Sequence, residues 1–138
     1  MPYFKAFIAG FVSTLVFHQG LLWVLIHGSA ATYAVWDMSP VPPLGVPRVI
    51  SLAFWAGLWG IVLWTVIRAS RGRVYWLKAF AFGALAPTVV SMFIVSPLKG
   101  QPLAFGWAPR FIVGALLVNA AWGLGTALIM RLLNRAPA

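Results

Sequence analysis

Long apolar stretches separated by short polar connections dominate the chain. Each of four stretches is about as long as the roughly 20 residues that a helix needs to cross the hydrocarbon core of a bilayer. They cover residues 4–26, 49–67, 76–95 and 111–133. The pattern therefore predicts an all-α membrane protein in which residues 1–138 form a single transmembrane domain, a bundle of four helices.

Composition agrees with this class of protein and excludes an ordinary soluble domain. Of the 138 residues, 62% are hydrophobic and 8% are charged, whereas about a quarter of the residues of a soluble domain are charged. The net charge of +9 would favour nucleic-acid binding in a soluble chain, but here the basic residues flank the apolar stretches. We interpret them as orientation signals, so the bilayer is the expected partner and nucleic acid is not.

The basic residues fall mainly at one end of the predicted bundle. Seven of the ten lie near the two termini or in the second connection, and three lie in the first and third connections. By the positive-inside rule, both termini and the second connection are expected to face the cytoplasm. Trp64, Tyr75 and Trp76 are then expected at the headgroup level of that side.

Short motifs recur in the two halves of the chain in the same order. They are Lys-Ala-Phe-x-x-Gly at 5–10 and 78–83, Pro-Arg-x-Ile at 47–50 and 109–112, and Trp-Gly at 59–60 and, after a one-residue slip, at 122–123. The matches predict two parallel copies of a two-helix hairpin, with a pocket on the axis between them. The slip and the longer first connection count against a duplication.

Polar side chains at membrane depth form the candidate site. Helical spacing places His18 on one face of the first helix, at the position that corresponds to Ser91 in the third, and Asn119 lies at a similar depth in the fourth. Buried indoles need acceptors for their N–H groups. The candidate ligand-binding residues are His18, Gln19, Ser91, Asn119, Trp59 and Trp122.

Two interpretations of these residues stay open. An ionisable group inside a bilayer is costly and is often functional, which favours a role for His18 in binding a ligand or handling a proton. A neutral histidine that bonds to Asn119 or Ser91 would equally well join helices. Trp59 and Trp122 could line a pocket for a flat hydrophobic molecule such as a quinone, or simply pack.

No metal, cofactor or catalytic motif is predicted. The chain has no cysteine, and His18 and His27 would lie about 13 Å apart along a helix, too far to bind one ion. The only acidic residue, Asp37, lies in a connection, and there are no paired carboxylates and no G-x-S-x-G or H-E-x-x-H motif. Enzymatic activity is therefore not expected.

Three segments carry a resemblance to known proteins: residues 17–20 (Phe-His-Gln-Gly), 38–47 (Met-Ser-Pro-Val-Pro-Pro-Leu-Gly-Val-Pro) and 50–57 (Ile-Ser-Leu-Ala-Phe-Trp-x-Gly). Together they resemble a group of short, uncharacterised four-span bacterial integral membrane proteins. The resemblance implies a multi-pass protein of the bacterial inner membrane. It implies no activity, so it gives no functional residue.

These observations lead to two functional hypotheses. The first is a small transporter, channel or hydrophobic-ligand-binding protein with a polar pocket that opens outward. The second is an accessory or assembly subunit that docks on a larger membrane complex through small residues such as Gly57 and Gly60. A homo-oligomer is a further expected assembly.

Overall fold

The computed structural model describes residues 1–27 and 34–135. Four long helices make up most of it: α1 (Pro2–Ile26), α2 (Arg48–Ile67), α3 (Gly72–Leu98) and α4 (Pro109–Leu133). Each is long and apolar enough to cross a membrane. The prediction of an all-helical chain with four helices of this kind is confirmed.

The observed helix bounds lie within a few residues of the predicted ones. The largest difference is in α3, which begins four residues before the predicted start at 76 and ends three after the predicted end at 95. Hydropathy marks only the apolar part of a helix. Backbone hydrogen bonds continue α3 through the polar residues at both of its ends.

Two connections lie at the end of the bundle that we call the proline-rich end. The α1–α2 connection contains an antiparallel pair of two-residue strands, β1 (Pro40–Val41) and β2 (Val46–Pro47), which apolar alternation did not predict because each strand is so short. The α3–α4 connection contains a left-handed turn within Leu103–Trp107. We call the opposite end, with both termini and the α2–α3 connection, the terminal end.

Glycines bring the helices of each sequential pair into backbone contact. A Cβ atom on Gly60 of α2 would lie 2.5 Å from the Ala6 carbonyl oxygen and 3.1 Å from the Gly10 Cα of α1. A Cβ atom on Gly83 of α3 would lie 2.8 Å from the Gly123 Cα of α4. Because lipid provides little hydrophobic drive for helices to associate, such close packing is a main source of stability in a membrane bundle.

The edge between α1 and α4 is also closely packed. Gly125 of α4 lies directly against the side chains of Ser13 and Phe17 of α1. The Ser13 hydroxyl donates a hydrogen bond to the Trp122 carbonyl oxygen (2.7 Å), and the Trp122 indole N–H donates one to the Gly10 carbonyl oxygen (3.0 Å). We call this the closed edge. It ties the first helix of the chain to the last.

Candidate functional site

A chain of polar side chains crosses the bundle from α1 to α3. On α1, the Gln19 side-chain amide donates to His18 Nδ1 (3.1 Å). His18 also hydrogen-bonds to the Asn119 side chain of α4, and Asn119 Nδ2 donates to the Thr88 hydroxyl oxygen of α3 (2.8 Å). We call His18, Gln19, Asn119 and Thr88 the polar network. It connects three of the four helices.

The α1–α2 connection, at the proline-rich end, extends this network. The backbone N–H of Trp36 donates to Gln19 Oε1 (2.9 Å), and its indole N–H donates to the Leu15 carbonyl oxygen (2.8 Å). Leu15 lies in a π-helical turn, Thr14–His18. Such a wide turn interrupts the regular α-helical bonding and leaves carbonyl groups for other donors, so the turn explains why α1 can accept the Trp36 indole.

The depth of the network follows from the helix contacts. His18 lies eight residues beyond Gly10 on α1, which places it level with Leu52 of α2, because Gly10 touches Gly60. Leu52 is about 6 Å inside the start of α2, at a rise of about 1.5 Å per residue. The network therefore lies in the part of the bundle nearest the proline-rich end.

The hydrogen bonds of the network are satisfied within the protein. Because Gln19 donates to Nδ1, the remaining ring nitrogen of a neutral His18 is the donor toward Asn119, an assignment that rests on the network itself. Every buried polar side-chain atom of the described residues has a partner. No carboxylate among the residues of the network is available to take or give a proton, so the arrangement fits a structural role best.

The structure brings only some of the predicted site residues together. His18, Gln19 and Asn119 belong to the polar network, whereas Trp122 lies on the closed edge. Ser91 makes no side-chain hydrogen bond to any residue that the structure describes, and its expected place is taken by Thr88, three residues earlier. Helical spacing placed the polar face of α3 but not the individual partner, since residues three apart share a face. Trp59 lies on a different edge of the bundle.

Between α2 and α3 the bundle opens into an apolar crevice of about 520 Å³. Its lining residues are Trp59, Ala81, Phe82, Leu85, Ala86, Val89 and Val90. Trp59 and Phe82 meet edge to face, with ring centroids 6.0 Å apart, near the middle of α2. From there the crevice runs along α3 toward the proline-rich end and opens to the outside of the bundle.

Trp59 has an unused hydrogen-bond donor. Within residues 1–27 and 34–135, its indole N–H meets no acceptor, whereas the Trp122 indole on the closed edge is bonded. An indole N–H in an apolar environment normally finds a partner. The crevice therefore has an almost wholly apolar lining, and one of its lining residues carries an indole donor without a partner in the described part of the chain. An apolar lining of this kind suits a hydrophobic ligand.

The acidic residue of the α1–α2 connection stabilises the start of α2. Asp37 accepts hydrogen bonds from the Ser39 hydroxyl (2.6 Å) and backbone N–H (2.9 Å), and it pairs with Arg48 at 3.3 Å. The bonds from Ser39, followed by the charge of Arg48, lower the pKa of Asp37 below its usual value. The contribution of this carboxylate to stability is therefore present above the ordinary pKa of aspartate and is lost as the pH falls through the lowered one.

Ser39→Ala is expected to raise the pKa of Asp37 toward the ordinary range, because the alanine removes the hydroxyl that most favours the charged carboxylate. The measurement is the NMR titration of the labelled Asp37 carboxyl carbon in wild type and variant. Ser51→Ala, on α2 and away from this carboxylate, is the control. Identical titrations of wild type and Ser39→Ala would contradict the assignment.

The fold and its sites define the protein as an all-α protein with four helices that could span a membrane. No family model matches the chain, and neither a curated protein nor a solved structure is detectably similar to it. The described residues hold no group of three or more histidine, cysteine, aspartate or glutamate side chains that could bind a metal ion. The crevice and the polar network are the two candidate functional sites of the described residues.

Proposed function

We propose that the protein binds a hydrophobic molecule dissolved in the bilayer, in the crevice between α2 and α3. The observation that carries the proposal is an apolar crevice of about 520 Å³ whose lining includes Trp59, a residue with an unpaired indole N–H. That volume falls in the range of about 300–1,000 Å³ typical of small-molecule sites. The expected ligand has an apolar body and one hydrogen-bond acceptor, such as the carbonyl of a quinone.

The proposal includes an internal duplication of the chain. The sequence motifs align α1 with α3 and α2 with α4, and the contact between Gly10 and Gly60 falls at the positions that align with Gly83 and Gly123. If the halves are repeats, the edge between α2 and α3 corresponds to the closed edge between α1 and α4. Trp59 then corresponds to Trp122, whose indole N–H is bonded to a carbonyl oxygen.

Three differences between the two edges explain why one is open. Gly125 lets α1 and α4 approach closely, and the corresponding residue of α2 is the larger Val62. On the α3 side, Ala86 stands where the closed edge has Ser13, and Val90 stands where it has Phe17. These smaller side chains leave space and remove a hydrogen bond. A ligand carbonyl in the crevice would replace the carbonyl that Trp122 finds within the protein.

We further propose that the bundle spans a membrane with both termini on the cytoplasmic side. Seven of the ten basic residues lie at the terminal end, which supports a cytoplasmic location for both termini by the positive-inside rule. The resemblance stated above favours the bacterial inner membrane. The crevice would then open to lipid from the middle of the bilayer toward the outer leaflet.

The rival hypothesis, an accessory subunit, needs a docking face. A Cβ atom on Gly57 would lie 2.6 Å from the Phe7 ring, and Gly60 touches Gly10, so these small residues already pack against α1. A partner protein would have to use another face. The crevice is such a face, and a protein segment bound there is one outcome of the experiment below.

Trp59→Phe is expected to weaken binding of a decyl-substituted benzoquinone to the protein in lipid nanodiscs. The phenylalanine keeps an aromatic ring and removes the N–H donor. A neutral hydrogen bond contributes about 1 kcal/mol, so the dissociation constant should rise about fivefold. Decylbenzene, which has no carbonyl, should bind wild type and variant equally, and the difference between the two probes isolates the hydrogen bond.

Trp55→Phe is the matched control, because Trp55 lies on the same helix and faces lipid with 61% of its surface exposed. It should leave quinone binding unchanged. Equal quinone binding by wild type and Trp59→Phe would overturn the proposal. Native mass spectrometry offers a second way to overturn it. If the protein retained another protein in place of a small molecule, and Ala86→Leu released that protein, the result would support the accessory subunit.

A further inference from the structure

A second cavity of about 300 Å³ opens at the terminal end of the bundle. Residues from α2, α3, the end of α4 and the segment that follows α4 line it: Trp64, Tyr75, Met130, Arg131, Asn134 and Arg135. We call it the basic pocket. It lies at the opposite end of the bundle from the polar network, and it shares no lining residue with the crevice.

Aromatic rings hold Arg131 at the side of the basic pocket. Its guanidinium carbon lies 5.7 Å from the ring centroid of Tyr75 and 5.7 Å from that of Trp76. The Tyr75 ring is itself fixed, because its hydroxyl donates to the Ala127 carbonyl oxygen (2.6 Å). The ring faces attract the cation, and the guanidinium of Arg131 makes no hydrogen bond or ion pair to the described part of the chain, so its N–H groups remain available.

Asn134 and Arg135 add further hydrogen-bond donors to the basic pocket. Lys5 Nζ donates to the Leu133 carbonyl oxygen (3.2 Å) and to Asn134 Oδ1 (3.5 Å), so the amide NH₂ group of Asn134 remains to donate. Arg135 adds a second guanidinium to the lining. The basic pocket thus gathers positive charge and hydrogen-bond donors.

No acidic side chain balances this charge at the terminal end. The sequence contains one acidic residue, Asp37, and it pairs with Arg48 at the proline-rich end. An uncompensated cluster of guanidinium groups next to a cavity favours an anion. The planar fork of an arginine matches the geometry of phosphate oxygens in particular.

We propose that the basic pocket binds the phosphate of an anionic phospholipid. Trp64 and Tyr75 line it, and Trp76 packs against Arg131. Such aromatic side chains are enriched at the headgroup level of a membrane, where lipid phosphates lie. Basic pockets between membrane-spanning helices bind acidic headgroups in this way. The lipid chains would lie along the helices, and the headgroup would contact Arg131 and Arg135.

The test uses the whole protein in nanodiscs of phosphatidylcholine with a minor fraction of phosphatidylglycerol, and native mass spectrometry counts the retained anionic lipids. Arg131→Gln is expected to lower retention about fivefold, the effect of one basic residue near a headgroup. Arg73→Gln is the matched control, since it removes the same charge from the same end but lies outside the basic pocket. Equal losses in the two variants would mean a general surface attraction and would overturn the proposal.

Two further experiments test whether the shape of the guanidinium matters and whether the bound phosphate belongs to a lipid. Arg131→Lys keeps the charge and loses the planar fork, so it is expected to lower retention as well, whereas full retention would contradict recognition by the guanidinium. Added inorganic phosphate should leave the lipid bound, and its displacement of the lipid would overturn the choice of a lipid ligand. Should Arg131→Gln fail to fold, Arg135→Gln, beyond the end of α4, is expected to give the same loss, and no loss there would count against the site.

Discussion

Gly10→Ala is expected to destabilise the folded bundle by about 1–3 kcal/mol, the usual range for extra atoms in a packed core. The new methyl group would collide with the Ala56 carbonyl oxygen and lie 3.1 Å from the Gly60 Cα. Both obstacles are backbone atoms, so no side chain can rotate away. The α1–α2 pair would have to separate, and the close contact that stabilises it would be lost.

Gly20→Ala is the matched control on the same helix, and the expected effect has the opposite sign. A Cβ atom on Gly20 would meet nothing within 4 Å, so alanine only reduces the freedom of the unfolded chain. Such a substitution stabilises by about 0.4–1 kcal/mol. A second pair on α4 repeats the comparison, because Gly123 lies against Ala79 and Gly83, whereas Gly114 has open space around it.

Reversible unfolding in mixed micelles, followed by circular dichroism, measures all four free energies under one condition. We expect Gly20→Ala and Gly114→Ala to have a higher free energy of unfolding than wild type, and Gly10→Ala and Gly123→Ala to have a lower one. If the four variants moved in the same direction, the glycine contacts would not be what holds the helix pairs together.

The helices were predictable from the sequence because helices that could span a membrane follow a simple rule of length and hydropathy. The same rule fails where polar residues continue a helix, as at both ends of α3. It also gives no account of a connection that folds back on a helix. Nothing in the periodicity of the chain indicates that Trp36 bonds to Gln19 and to the carbonyl of Leu15, because that contact depends on a local π-helical turn.

The candidate site was predictable in its parts but not in its arrangement. Equal depth correctly suggested that His18 and Asn119 are neighbours. The motif that Trp59 and Trp122 share does not distinguish the two residues. A longer alignment of the two halves, however, matches Val62 with Gly125 and Val90 with Phe17. Differences in side-chain size between aligned positions were therefore an available signal for the crevice.

Asn119→Leu is expected to destabilise the bundle by about 1.5–3 kcal/mol. The change removes the hydrogen bonds of Asn119 to His18 and Thr88 and leaves polar groups of both partners unpaired in an apolar interior. An unsatisfied buried group costs about 1–3 kcal/mol, while a hydrogen bond between membrane helices contributes about 0.6 kcal/mol on average. Ser91→Ala is the control, because Ser91 lies on the same helix as Thr88 but outside the network, and it should change stability by less than about 0.5 kcal/mol.

A double-mutant cycle between His18→Ala and Asn119→Ala isolates their contact, with an expected coupling of about 0.6–1.7 kcal/mol. Additive effects would show that the two side chains do not interact. Asn119→Leu and Trp59→Phe together separate the role of the network from that of the crevice. The network joins α1, α3 and α4 and leaves α2 out, so Asn119→Leu should lower stability without weakening quinone binding to the molecules that remain folded. Trp59→Phe should weaken quinone binding without lowering the stability of the bundle. If Asn119→Leu abolished binding by folded protein, the ligand would have to reach the polar network, and the site would lie inside the bundle.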